Sequence, residues 1–238
     1  MRVCVKNGFS KPRGVISNNC YAYSIGLLRQ DGTPFKLQPG DLSTGEPFEL
    51  DTCHEVVKRT EEDLKVLGGR AIKFSQGCKK NENKIVLILA PGLDYHFLVH
   101  HQDVKFLITC DGETRKSIAE KFKVNERCVK KQKSYKKGTS VYVKNADCFS
   151  HKRGIAFPPS LMDSNGKIIK DPRTATFDYG DLNYTVFCTA FCVKQRDDMT
   201  APIIKSSPNG DLNVQKYDRR YTGMKKIIQT IKKVMKIK

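Results

Sequence analysis

The apolar positions of this chain fall into short runs set apart by charged or turn-forming stretches. Lys84 to Ala90 (KIVLILA) is a β-branched apolar run of strand length. Pro91-Gly92 turns the chain, and Leu93 to His101 (LDYHFLVHH) reads as a second strand. Together they predict a hairpin, or two neighbouring strands, in the core of a sheet. Residues 182–193 (LNYTVFCTAFCV) predict a further strand. Residues 54–67 (HEVVKRTEEDLKVL) space Val56, Val57, Leu64 and Leu67 as an amphipathic helix, stopped by Gly68-Gly69. Tyr21 to Leu28 is apolar on more than one face, which suits a short buried helix capped by Asn18 or Asn19. Ahead of it stand a short strand (Val3 to Val5) and a stretch read as loop, with Pro12 and Gly14. Residues 197–215 read as a linker, and Met224 to Lys238 as a basic amphipathic helix within a tail over 216–238.

Between the hairpin and residue 146 the pattern is self-contained. Phe106 to Thr114 is a strand followed by a turn, and Ser117 to Phe122 a helix. A second short helix opens at Val124-Asn125, and Tyr135 to Val143 closes with a turn and a strand. Residues 104–145 thus form a βααβ insertion in a domain made of 1–103 and 146–196. "CDGETRKSIAEKFKV" and "KKGTSVYV" resemble a LysM module, with Asp-Gly-Glu-Thr in place of its usual Gly-Asp-Thr turn. The resemblance implies binding of an N-acetylglucosamine-containing glycan, as in peptidoglycan or chitin, near Asp111, Gly112, Glu113 and Thr114.

Charge sharpens this division. The chain carries +18, yet residues 104–145 and 216–238 each hold +8, so the body is nearly neutral. Such segments attract polyanions. The tail is a candidate for docking on an anionic surface. Nucleic acid is an alternative partner, although no motif with interleaved aromatics accompanies the lysines. The N-terminal MRVCVKNGFSKPRG lacks an apolar run of secretory-signal length, and no run nears the roughly 18 residues of a membrane span. The expectation is a soluble protein, cytoplasmic, or virion-associated if the lysine- and isoleucine-rich composition reflects the AT-rich genome of a large DNA virus. With no signal, most of the nine cysteines are expected to be reduced, small and buried, without a disulfide framework. No zinc spacing is present, including among His96, His100 and His151, so no metal or other cofactor is expected.

One cysteine stands apart. In "NNCYAYSIG", Cys20 opens a predicted helix, where backbone N–H groups favour a thiolate. A thiol nucleophile needs a base, and the base needs orienting. His96 lies on the predicted core strand. With the 42-residue insertion set aside, His151 follows His96 by 13 residues instead of 55, which puts "DYHFLVHHQD" and "DCFSHKRG" on neighbouring strands. Cys20, His96 and His151 in that order, with the "QPGDL" turn at 38–42, resemble the papain-like NlpC-type thiol hydrolases. That resemblance implies an α+β fold, with the cysteine helix packed on an antiparallel sheet. It further implies a peptidase or amidase in which Cys20 attacks the carbonyl and His96 carries the proton. Gln102 and Asp103 rival His151 as the orienting residue, and Asn19 is a candidate oxyanion donor. The substrate implied is a peptide amide, on a wall polymer if the inserted module holds one. The alternative is a binding protein on an inactive hydrolase scaffold.

Overall fold

The computed structural model describes residues 4–5, 8–29, 32–34, 36–45 and 49–194. The expected linker and basic tail lie outside the described residues. The fold is mixed α+β, with few helices around antiparallel sheet. Its centre is a five-stranded sheet built from β2 (Arg70–Ile72), β3 (Glu82–Ala90), β4 (Asp94–His101), β7 (Cys148–His151) and β8 (Val186–Lys194), in the order β2-β8-β3-β4-β7. Every neighbouring pair is antiparallel. The hairpin read from KIVLILA and LDYHFLVHH is β3–β4, in register from Ile85↔Val99 to Ala90↔Asp94. Residues 85–90 are all buried, so both faces of β3 are covered. Each large apolar side chain buried there contributes roughly 1.5–3 kcal/mol.

Strand alternation divides the core. Ile85, Leu87, Leu89, Tyr95, Phe97 and Val99 meet the helices α2 (Cys20–Ser24) and α3 (Cys53–Leu67) on one face. On the other face, Val86, Ile88, Ala90 and Leu98 pack with Phe149, Phe177 and Tyr184. Helix α3 starts one residue before the predicted bound and ends at Gly68, whose φ of 79° is the left-handed cap expected of glycine. The stretch read as loop before Cys20 is instead a 3-10 turn (Gly8–Ser10) and helix α1 (Pro12–Ser17). Proline at the first helical position is preset for a helix, since its missing N–H is unused there. Gly14 is also required: a Cβ on it would lie 2.2 Å from Gly8 O, so the turn and the helix touch through it.

The insertion keeps the predicted order: β5 (Val104–Leu107), α4 (Arg115–Phe122), a 3-10 turn (Glu126–Cys128) where a second helix was expected, and β6 (Ser140–Val143). β5 and β6 pair from Val104↔Val143, and β1 (Cys4–Val5) adds a third strand against β5. The core of the insertion is not closed on itself. Phe106, Ile118, Phe122 and Val141 pack together with Cys148, Leu161 and Met162 of the surrounding chain.

The expectation that no disulfide framework forms is corrected. Cys53 is bonded to Cys188 and Cys78 to Cys192, with Cα–Cα distances of 5.4 and 5.5 Å, inside the span a disulfide bridges. A bulge explains how one strand reaches both partners. The β3–β8 register slips between Leu87↔Thr189 and Ile88↔Phe187, leaving Cys188 unpaired. The slip reverses the alternation, so Cys188 packs on the α3 side with Phe191 and Val193. Among the described residues Cys20, Cys110, Cys128 and Cys148 are free thiols. No described helix is long and apolar enough to cross a membrane.

Candidate active site

Two asparagines set the chain into α2. Asn18 Nδ2 donates to Gly14 O (2.9 Å) and Arg29 O (2.8 Å), and its Oδ1 accepts from Arg29 N–H (2.9 Å). Asn19 is the N-cap: its Oδ1 accepts from Ala22 N–H (3.0 Å), while its Nδ2 donates to Leu37 O (2.7 Å). Both ends of the Asn19 amide are therefore occupied in structural bonds. The "QPGDL" turn is held against the same helix by one buried carboxylate. Asp63 of α3 accepts from Tyr21 Oη (2.8 Å), Gly40 N–H (2.8 Å), Leu42 N–H (3.0 Å) and Ser43 Oγ (2.8 Å). Gly40, with φ of 98°, supplies the left-handed bend.

Cys20 is the first residue of α2 and is 7% exposed. Its Sγ lies 4.0 Å from Tyr95 O, and Phe97 N–H also points at it. These groups lie beyond the last rung of β4–β7, Leu98↔His151. The thiol thus lies against the β4 backbone on either side of His96. Burial pushes its pKa up to about 12; Asp94 adds to the rise, and Phe97 N–H, Lys152 and Tyr21 N–H oppose it.

The His96 side chain leaves β4 on the alternate face, among Tyr184 and His151. His96 Nε2 and His151 Nδ1 are 2.8 Å apart, and His151 Nε2 is 2.8 Å from Met162 O. A carbonyl only accepts, so His151 carries its proton on Nε2. In the neutral ring Nδ1 is then the acceptor, and His96 must donate from Nε2. The lone pair of His96 is left on Nδ1, which makes no hydrogen bond among the described residues. Both rings are held neutral. Burial is the main cause for each, lowering His151 to about 4 and His96 well below its usual value, with His151 and Arg153 adding to the depression at His96.

The structure therefore brings His96 and His151 together and sets Cys20 against the backbone of the same strand. The Cys20 sulfur and the His96 ring share no hydrogen bond. Two further charged groups act on the thiol, Asp94 and Lys152. Asp94 Oδ2 accepts from Tyr184 Oη (2.7 Å). Lys152, fully buried, donates from Nζ to Val15 O (2.7 Å) and Gly154 O (2.6 Å). Sequence reading passed over Lys152, since a lysine after a histidine reads as solvent-facing. Its one signal is parity: it follows Ser150 on the α2 side of β7. Beyond the histidines, the Arg153 guanidinium lies 4.3 Å from the ring centroids of both Phe157 and Tyr179. A shallow cleft of about 250 Å³, lined by Ile88, Arg173, Phe177, Tyr184 and Phe187 among others, opens on the His96 face of the sheet.

The other candidates lie elsewhere. Asp103 accepts from Tyr142 Oη and from Asn145 N–H (2.8 Å), closing the neck of the insertion, and Gln102 O accepts from Asp147 N–H (3.1 Å). In the turn expected to meet a glycan, Asp111 accepts from Lys137 N–H (3.0 Å) and Glu113 pairs with Lys121. Thr114 caps α4 through a reciprocal bond with Ser117. Gly112 has φ of 87°, a conformation that suits its lack of a side chain. No family model, no curated protein and no solved structure matches this chain.

Proposed function

We propose that this chain is a thiol hydrolase of the papain-like NlpC type, a peptidase or amidase with Cys20 as nucleophile and His96 as base. The observation that carries the reading is the chain Met162 O, His151, His96. It fixes one tautomer of His96, leaving Nδ1 as the only place on that ring able to take a proton. An oriented imidazole with a free lone pair is what a general base requires. After proton transfer, the imidazolium still donates Nε2–H to His151, which persists as an acceptor. The thiolate sulfur attacks the amide carbon, the carbon–nitrogen bond breaks, and the leaving nitrogen takes the proton from His96. Water then releases the acyl group. Backbone N–H groups at the start of α2 are the candidate oxyanion donors. The insertion, read as LysM-like, would hold the glycan part of a wall polymer.

The test is the pH profile of Cys20 alkylation by iodoacetamide between pH 5 and 9, located by mass spectrometry, beside His96→Ala. Selective labelling of Cys20 below the free-thiol pKa of about 8.5, lost in the variant, is the expected result. Labelling no faster than at Cys110, Cys128 and Cys148 sinks the nucleophile. A second reading, a glycan-binding protein on an inert scaffold, is favoured by one observation: the thiol is buried and its pKa raised to about 12.

A further inference from the structure

Deprotonating Cys20 places a negative charge where little water reaches it. An uncompensated buried charge is costly, so an activated thiolate at this position needs a cation. Among the described residues the charged or titratable groups that act on Cys20 are Asp94 and Lys152, and Cys20 in turn acts on Tyr95 and Tyr184. The tyrosines are neutral, and Asp94 has the wrong sign. Lys152 is the cation of the set. Among the described residues, Cys20 is the titratable group that acts on it in return.

The placement follows from the fold. Leu98 faces His151 across the last rung of β4–β7. Continued by one residue, the ladder would set Lys152 opposite Phe97, whose N–H points at the sulfur. The ladder ends at Leu98↔His151, so that rung is not formed, and Cys20 and Lys152 act on each other across the place where it would lie. The amine is anchored at both sides: Val15 O belongs to α1, just ahead of the cysteine helix, and Gly154 O belongs to the turn after β7. Two carbonyls engage two of its N–H bonds in either protonation state. The third tetrahedral position of Nζ has no protein partner among the described residues and is the place where a proton is gained or lost.

We propose that Lys152 is the positioning residue that makes Cys20 ionisable: its ammonium, fixed by the Val15 and Gly154 carbonyls, is the counter-charge of the thiolate. The proposal rests on the thiol-hydrolase reading and adds to it the group that compensates the charge His96 creates. Burial lowers the Lys152 pKa to about 7 while Cys20 raises it. Each ionisation therefore favours the other, and thiolate and ammonium appear together.

Two measurements test this. In the alkylation profile, Lys152→Met should move the midpoint for Cys20 upward by at least one pH unit, and Lys152→Arg should restore most of it. A purely structural lysine would leave the midpoint in place. The second measurement needs no replacement of Lys152. In intact protein labelled at lysine Cε, the Lys152 resonance should titrate near neutrality, and its midpoint should fall in Cys20→Ser. Fast wild-type labelling with an unchanged Lys152→Met profile, or a Lys152 midpoint indifferent to Cys20→Ser, overturns the proposal and leaves the hydrolase reading standing. Slow labelling of Cys20 in the wild-type protein overturns both.

Discussion

Buried polar residues organise this site, and their bonds have measurable consequences. Asp63 receives four donors, from Tyr21 of the cysteine helix and from Gly40, Leu42 and Ser43 of the turn that follows. Asp63→Ala strands those donors, and at 1–3 kcal/mol for each group left unsatisfied the loss should reach about 3 kcal/mol or more in urea unfolding. His151 gives a pH dependence of definite sign. Burial holds its folded pKa near 4, below the 6.5 of an exposed histidine. The unfolded chain therefore binds the extra proton first, and stability falls as pH drops below about 6.5. Between pH 7 and 5 this one group should remove about 2 kcal/mol. His151→Gln should abolish that part of the loss, so the gap between variant and wild type narrows at pH 5 in paired urea titrations. At this scale the sequence was partly legible. Cys20, His96 and His151 stood out as reactive types on predicted elements, and the pairing of the two histidines followed once the insertion was set aside. Lys152 did not stand out, because nothing in its type tells a buried lysine from a solvated one.

Elements were more readable than their connections. The β3–β4 hairpin and α3 announce themselves through local periodicity. Helix α1 does not: Pro12 and Gly14 are ordinary loop formers, and their helical role depends on a contact with Gly8 that no local pattern encodes. Gly14→Ala should accordingly destabilise the fold despite alanine's better helix propensity, with a lowered thermal midpoint as the readout. The disulfides were hidden for a similar reason. Their partners lie 135 and 114 residues apart, and Cys188 reaches α3 only because a bulge turns it over. Replacing Cys53 and Cys188 together by serine should cost about 2–4 kcal/mol, measured as a shift in denaturant midpoint against the intact protein under non-reducing conditions.

Across the whole molecule, the insertion leaves and re-enters at one point, where Val104 pairs with Val143 and Asp103 accepts from Asn145 N–H. Its surface exposes Lys116, Lys123, Lys130, Lys131, Lys133 and Lys136, none in a salt bridge among the described residues. Retention on a sulfated polymer should therefore fall steeply with salt, whereas binding of N-acetylglucosamine oligomers, if the module is a glycan reader, should hardly respond. Comparing the two in one salt series separates charge from recognition. The cystines add a constraint of another kind. Cys53–Cys188 packs against the same apolar cluster as Cys20, so an oxidised pair and a reduced sulfur share one interior. Exchange between them requires a thiolate with a path to the bond. The two oxidation states therefore coexist only while the packing of this cluster keeps the Cys20 sulfur off the Cys53–Cys188 bond, and loosening that interior would let the sulfurs trade partners.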